Sequence, residues 1–473
     1  MKPLLTAEEM RALELRAIRE WGIPSLVLQE HAAIGALAMI PDGEPINVLA
    51  GPGNNGGDAL ALARLAKLQG RQVDVWTLDP VPKWKGDAAL QAQLWKGVGG
   101  HCRHTSEPSR EAPAWRGWVV DGLFGLGARL PIDERAAHWA DALERARSAS
   151  DVKVLALDLP TGLNPSACEV PGPVFRADAT AAFGHLKRCH GLMPAKELCG
   201  EISLIPLPLN AAPDCAMFML SKPRLKKPHW DSNKYGHGHI AIRAGTKGMG
   251  GAAALAALGA LRGGAGLVTV MPDEGAADTI AAQVPEAIVR PWNGSLPPKV
   301  DVLVAGPGGV TEIPDWGGPL VVDASALKEG EGPKWLSRPQ TIITPHSGEF
   351  SRLFNLKAPK GFQGRLDALE KLPKRCEGAL VLKGAQTLIA GGKSLCVFVN
   401  PTGHPGLSTG GTGDFLAGLA AARLARNLED PLAAACEAVW LHGEAADRLG
   451  LGPLIARDLG DSLAALMREL HSA

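Results

Sequence analysis

Apolar and polar positions change period repeatedly along this chain, and each change marks an element. Thr6-x-x-Glu9 reads as a capping box, and helical spacing follows from about Ala7 to Trp21 until Gly22-Ile23-Pro24 stops it. A second helix is predicted from about Ser25 to Met39. Ile46-Asn47-Val48-Leu49-Ala50 then reads as a buried strand, Gly51 to Asp58 as a loop, Ala59 to Gln69 as a helix, and Val73-Asp74-Val75-Trp76 as the next strand. Trp118-Val119-Val120 and Val154-Leu155-Ala156-Leu157 read as further strands. Each ends at an aspartate and a Gly-containing turn: Asp121-Gly122 and Asp158-Leu159-Pro160-Thr161-Gly162. Strand–loop–helix–strand order predicts a parallel, doubly wound sheet, and such sheets bind ligands at the C-terminal edges of their strands.

Between about Pro206 and Lys234 the periodicity decays into Pro, Lys and short apolar pieces, so a boundary is expected near residue 220. The predicted domains are 1–220 and 221–473, both doubly wound α/β. The second half restarts with a strand, His239 to Arg243, then a Gly-rich loop and a long helix, Gly251 to Arg262. Strand-edge motifs recur at Gly306-Pro307-Gly308-Gly309, at Asp323, at Thr344-Pro345-His346 and at Lys383-Gly384-Ala385-Gln386-Thr387. The apolar stretch Met249 to Met271 is broken by Arg262 and several glycines, which suits a buried helix and strand better than a membrane span.

A length of 473 residues exceeds one hydrophobic core and agrees with two or three domains. The 49 Lys and Arg balance the 49 Asp and Glu, which leaves no electrostatic footprint for nucleic acid or an anionic membrane. Eight scattered cysteines without a C-x-x-C pair read as reduced thiols. Met1-Lys2-Pro3 leads directly into a helix with no signal-peptide pattern, so a soluble cytoplasmic protein is expected.

Two glycine-rich turns carry the candidate chemistry. Ser408-Thr409-Gly410-Gly411-Thr412-Gly413-Asp414 opens a helix. A helix N-terminus binds anions, and glycines let the backbone come close to them. A carboxylate there repels phosphate, so Asp414 is expected to serve as a base while the anion hole holds a moving phosphoryl group. Gly51-Pro52-Gly53-Asn54-Asn55-Gly56-Gly57-Asp58 contains a formal G-x-G-x-x-G, with Asp74 at the distance of a ribose-binding acid. The paired amides and Asp58 exceed what a pyrophosphate turn needs. Asn55, Asp121, Asp158 and Thr161 make an oxygen-ligand set suited to a monovalent cation. His346 stands at a strand edge where ligands bind. His237-x-His239 reads as loop, Gly392-Lys393-Ser394 lacks the leading glycine of a P-loop, and clusters such as Pro82-Lys83-Trp84-Lys85 are expected on the solvated surface.

The motif order Gly-Asn-Asn-Gly-Gly-Asp, Asp-x-x-Phe-Gly, Asp-x-Pro-Thr-Gly, Thr-Pro-His-x-Gly-Glu, Lys-Gly-Ala-x-Thr and Gly-Gly-Thr-Gly-Asp resembles, over nearly the full chain, the bifunctional NAD(P)H-hydrate repair enzymes of the YjeF type. The resemblance implies an N-terminal Rossmann-like domain that epimerises R- and S-NADHX and NADPHX. It also implies a C-terminal ribokinase-like domain that dehydrates the S form with ADP or ATP and magnesium. By that resemblance Asn54, Asn55, Gly56, Gly57 and Asp58 hold the hydrated nucleotide, closed by Gly125, Leu126, Gly127, Ala128, Arg129, Leu130, Pro131 and Asp158. Asn55, Asp121 and Thr161 bind potassium. Asp58 or Asp158 acts as the epimerase acid/base. Ala252, Gly308, His346 and Asp414 line the dehydratase site, while Lys383, Gly384, Ala385, Gln386, Thr387 and Gly413 hold the adenine nucleotide. A homo-oligomer is also implied. The chain departs from the pattern at His31, Ala59, Gly309, Val310 and Ser325, with His31 near the first site. A small-alcohol kinase fused to a nucleotide-binding domain, and a non-catalytic scaffold for the first half, are the competing readings.

Overall fold

The computed structural model describes residues 1–105, 115–209, 215–227 and 230–472. Two compact units emerge: residues 2–215, and residues 216–473 together with Met1. Of the junction read at 206–234, residues 210–214 and 228–229 lie outside the described residues.

The first unit runs β1 (Lys2–Leu5), α1 (Ala7–Glu20), α2 (Ser25–Leu37), β2 (Ile46–Ala50), α3 (Asn54–Leu68), β3 (Val73–Thr77), α4 (Gly86–Gly97), β4 (Cys102–His104), β5 (Gly117–Gly122), α5 (Glu134–Ala149), β6 (Val152–Leu157), β7 (Ala179–Phe183), β8 (Leu186–Lys187) and β9 (Glu201–Ile205). Seven strands form an all-parallel sheet in the order β4-β3-β2-β5-β6-β7-β9. β8 pairs with β1 apart from it. The central strand β2 is buried throughout, as expected when helices cover both faces of a parallel sheet. The capping box forms: Thr6 Oγ1 accepts from Glu9 N at 3.1 Å, and Glu9 Oε2 accepts from Thr6 N at 2.7 Å.

Three expectations change here. α3 begins at Asn54, so Asn54 to Asp58 are its first turns and not a loop. Glycines fit that helix start because the end of β2 presses on it: a Cβ on Gly56 would lie 1.7 Å from the Gly51 carbonyl oxygen. Trp84, expected on the surface, is buried in the core that α3 and α4 share. His31 is exposed and does not line the site described below.

The second unit runs β10 (Met217–Met219), β11 (His239–Arg243), α6 (Gly250–Arg262), β12 (Leu267–Val270), β13 (Ile288–Val289), β14 (Val302–Ala305), β15 (Leu320–Val322), β16 (Thr341–Ile343), α7 (Ser347–Phe354), β17 (Cys376–Leu382), β18 (Leu388–Gly392), β19 (Cys396–Val399), α8 (Thr412–Arg426), α9 (Pro431–Asp447) and α10 (Leu459–Ser472). β13-β12-β11-β14-β15-β16-β17 are parallel, β18 and β19 continue antiparallel, and β10 joins β19 in parallel. The Ala/Gly richness of this half has a packing cause. α6 and α8 meet backbone to backbone, so that a Cβ on Gly259 would stand 2.1 Å from the Phe415 carbonyl, and one on Gly418 would stand 1.8 Å from that of Ala256. His237-x-His239 divides: His239 opens β11, and its Nε2 lies 2.8 Å from Thr269 Oγ1. No helix among the described residues is long and apolar enough to cross a membrane.

Candidate active sites

In the first unit, α1, α2, the start of α3 and the turns after β3, β5 and β6 surround a cleft of about 870 Å³. Asn54, Asn55, Asp58, Gly125, Leu126, Gly127, Ala128, Arg129, Pro131 and Asp158 line it. Gly56 and Gly57 are buried behind that wall, and Leu130 packs into the core beneath α5. α3 has no side-chain N-cap: Gly53 leaves its first N–H groups open to the cleft. A buried amide layer supports them. Gln91 Nε2 donates to Gln29 Oε1 at 3.3 Å, and Gln29 Nε2 donates to the Asn54 carbonyl at 3.3 Å. Asp74 is elsewhere, paired with Arg103 at 3.2 Å, while Asp79 beyond the end of β3 faces the cleft and holds Arg135 at 2.9 Å.

Asp158 adopts φ 63°, and its Oδ1 accepts from Phe183 N at 3.1 Å and from the fully buried Lys187 ammonium. That ammonium also donates to the Phe183 carbonyl at 2.7 Å. Neighbouring His190 is driven down to about 3 by burial and by Lys187, so it is neutral, and its Nδ1 accepts from Lys187 N at 3.0 Å. Asp58 is different. Burial, followed by the charges of Asp158, Glu14 and Asp87, pushes its carboxyl well above the usual range. Glu14 of α1, which sequence reading missed, enters the same cleft, and burial with Asp158 raises it to about 7. Its signal lay in helical phase, since Ala7, Met10, Leu13 and Ala17 form the buried stripe of α1 and Glu14 interrupts it.

Beside the cleft, Asp121 is fully buried at the end of β5. Its oxygens accept from Thr161 N at 2.8 Å, Thr161 Oγ1 at 2.7 Å and Leu123 N at 3.3 Å, yet burial still raises it to about 6. Asn55 Nδ2 donates to the Phe124 carbonyl at 3.2 Å, and Asn55 Oδ1 is buried without a hydrogen-bond partner. An all-oxygen set with one carboxylate and one orphaned amide oxygen fits a hard monovalent cation. Ala59 has a neighbour that accommodates it: a Cβ on Gly122 would come within 2.4 Å of Ala59 Cβ.

In the second unit, Gly411 at φ 91° ends the glycine turn, and α8 starts without a side-chain cap. Asp414 lies in its first turn, raised to about 6 by burial and then by Asp323, against the pull of Lys383. The ends of β16 and β17 set His346 beside Lys383 through a parallel bridge. Lys383 Nζ donates to Asp323 Oδ1 at 2.7 Å, and Thr344 Oγ1 donates to the same oxygen at 2.8 Å. Burial weighs against the Lys383 charge, but Asp323, Glu349 and Asp414 outweigh it and hold the ammonium above its ordinary value. A Cβ on Gly413 would stand 3.4 Å from that ammonium, so Lys383 reaches the α8 N-terminus. His346 caps α7: its Nδ1 accepts from Gly348 N at 3.0 Å and Glu349 N at 3.3 Å, and Glu349 returns the bond to His346 N at 2.8 Å. Gly308, at φ 69°, is held by Thr246, whose N and Oγ1 donate to the Gly308 carbonyl at 2.9 and 3.0 Å. Ala252 lies in the first turn of α6. Across the Lys383–Thr387 turn, Arg365 Nη1 donates to the Gln386 carbonyl at 2.9 Å and closely packs against Gly384. Ser325, one of the departures, is exposed.

Two doubly wound units, each with carboxylates gathered at its strand ends, define a two-site α/β enzyme. Residues 240–464 match the family model described as NAD(P)H-hydrate dehydratase, and residues 27–189 match that of the YjeF-related protein N-terminus. The chain is 36% identical to a bifunctional NAD(P)H-hydrate repair enzyme from Gloeobacter violaceus, covering 94% of this chain and 93% of that one. It is 34% identical to the enzyme of the same name from Coxiella burnetii, covering 99% and 100%. A solved ADP/ATP-dependent NAD(P)H-hydrate dehydratase from Bacillus subtilis is 28% identical over 52% of this chain and 95% of that one, with a TM-score of 0.47. The chain belongs to the bifunctional NAD(P)H-hydrate repair enzymes, which join an epimerase and a dehydratase.

Proposed function

We propose that the cleft of the first unit epimerises R- and S-NADHX and NADPHX, and that the strand edge around Asp414 dehydrates the S form with ADP or ATP. The observation that carries the second half is the placement of Asp414 in the first turn of an uncapped helix, beside the Lys383 ammonium. Helix N–H groups and Lys383 stabilise a phosphoryl group in transfer, and Asp414 takes the proton of the C6 hydroxyl as that oxygen attacks the terminal phosphorus. Phosphate then departs from C6, the C5 proton is lost, and the ring double bond returns. His346, Gly308 and Ala252 line the hydrate side. Gly384, Ala385, Gln386, Thr387 and Gly413 hold the nucleotide, which brings magnesium as its phosphate complex.

In the first unit the ring nitrogen of the hydrate expels the C6 hydroxyl and water returns to either face. Asp158, paired with Lys187, supplies negative charge beside the cationic ring, and the Asp58 carboxyl, its proton affinity raised by burial, hydrogen-bonds the leaving oxygen. Asn54 to Asp58 and Gly125 to Pro131 hold the nucleotide against the open end of α3. Asn55, Asp121 and Thr161 would hold potassium, which would satisfy the orphaned Asn55 oxygen and neutralise Asp121. Eight cysteines without a disulfide among them support a cytoplasmic setting. A homo-oligomer is the expected assembly, to be read by light scattering.

The test is incubation with mixed R- and S-NADHX, potassium, magnesium and ADP, following absorbance of the reduced nicotinamide. Full conversion of both epimers is expected. Conversion of the S share alone would remove the epimerase half of the reading, and a stable phosphorylated alcohol would replace the dehydratase with a small-alcohol kinase.

A further inference from the structure

Glu14 occupies a position that an amphipathic helix gives to an apolar side chain. It lies four residues after Met10 and three before Ala17, both fully buried, on the stripe that turns α1 inward. A carboxylate at that phase weakens the helix's own packing, and such local conflicts with a fold collect at functional sites. Its side chain makes no hydrogen bond or ion pair among the described residues. It opens into the same cleft as Asn54, Asp58 and Asp158.

The charged groups around it are already committed. Arg11, one turn earlier on α1, donates to the Leu126 carbonyl at 2.5 Å. Lys187 is bound to Asp158 and to the Phe183 carbonyl. Asp158 is paired with that lysine, and Asp58, which also faces Asp87, is raised well above the usual carboxyl range by burial and its acidic neighbours. Glu14 lines the cleft with no such partner, and burial followed by Asp158 raises it to about 7, with Lys187 and Arg11 limiting the rise.

We propose that Glu14 is the proton-shuttling catalytic residue of the epimerase site, acting on the C6 oxygen of the hydrated nicotinamide ring. The role rests on the reading of this cleft as the epimerase. The C6–O bond breaks as the ring nitrogen lone pair forms the C6=N bond, and the oxygen leaves as water carrying the Glu14 proton. A water oxygen then bonds to C6 from the opposite face, the nitrogen recovers its pair, and the surplus water proton returns to the Glu14 carboxylate. Nothing is oxidised or reduced, and the residue ends as it began.

The experiment follows R-NADHX turning into S-NADHX by chromatography, without nucleotide, in the full chain and in Glu14→Gln and Glu14→Asp, at pH values on both sides of 7. General acid–base catalysis contributes about 10²–10⁴-fold, so Glu14→Gln is expected to fall by that factor toward the uncatalysed rate and to lose the pH dependence centred near 7. Glu14→Asp is expected to recover part of the rate with its pH arm displaced. Circular dichroism reports folding, and if Glu14→Gln does not fold, the displaced arm in Glu14→Asp decides. A Glu14→Gln protein with the wild-type rate, or either variant with an unmoved pH arm, overturns the role while leaving the epimerase reading standing. A wild-type chain inert toward the R epimer overturns both.

Discussion

Each unit ends a strand with an aspartate locked to a lysine, and sets a second carboxyl of raised proton affinity nearby. The pairs are Asp158–Lys187 and Asp323–Lys383, and the companions are Asp58 and Asp414. Their exposure differs. Lys187 is sealed at 0% and Lys383 is 21% exposed. A sealed ammonium can only fix its aspartate, whereas one open beside a helix N-terminus has donors left for an incoming anion. The same two residue types therefore build a sealed ion pair in one unit and a partly open one in the other.

The strongest break of this comparison is Asp414→Asn. Dehydration of S-NADHX is expected to fall by about 10²–10⁴-fold while epimerisation persists, and wild-type dehydration in that variant would remove Asp414 as the base. Next comes the stability contrast. Lys187→Met leaves Asp158 as an unpaired buried charge, a change that costs about 3–5 kcal/mol in such settings, read by denaturant unfolding of the first unit. Lys383→Met is expected to cost less stability and more dehydratase activity, because the place of a 21% exposed lysine is open to water, whereas that of the sealed Lys187 is not. Equal stability losses would erase the distinction.

Potassium sharpens the contrast from the first unit's side. At a hundredfold excess over its Kd, a ligand of the folded state stabilises by about 2.7 kcal/mol. A potassium-dependent rise in Tm that Asp121→Ala abolishes is the expected outcome. The smallest effect is the acid limb of dehydration. Asp414 works as a carboxylate and is raised to about 6, so kcat/KM is expected to climb with pH and level off above that value. The fall below it is about tenfold per pH unit, or about 1.4 kcal/mol. A flat profile through this range would show that proton removal by Asp414 does not govern the rate.

Local grammar was legible in the chain. The Thr6–Glu9 capping box, the aspartates at strand ends and the glycine turn before Asp414 each carry their cause within a few residues. What depends on strand order was not. Lys187 meets Asp158 because β7 and its following turn return beside β6, and Lys383 meets Asp323 because β16 places β17 two strands from β15. No spacing rule announces those pairs. The buried Trp84 and the early start of α3 escaped for a related reason: packing against distant elements overrode the local signals of charge and glycine. Glu14 was readable as an acid on an apolar stripe, but its proximity to Asp58 was not.

The cap that His346 provides also settles which way its ring can act. Two backbone N–H groups point at Nδ1, so that nitrogen is an acceptor and the neutral ring carries its hydrogen on Nε2. Helix α7 thereby selects the tautomer. A neutral His346 therefore presents Nε2–H, 3.5 Å from Glu349 Oε1, as a donor and not as a base.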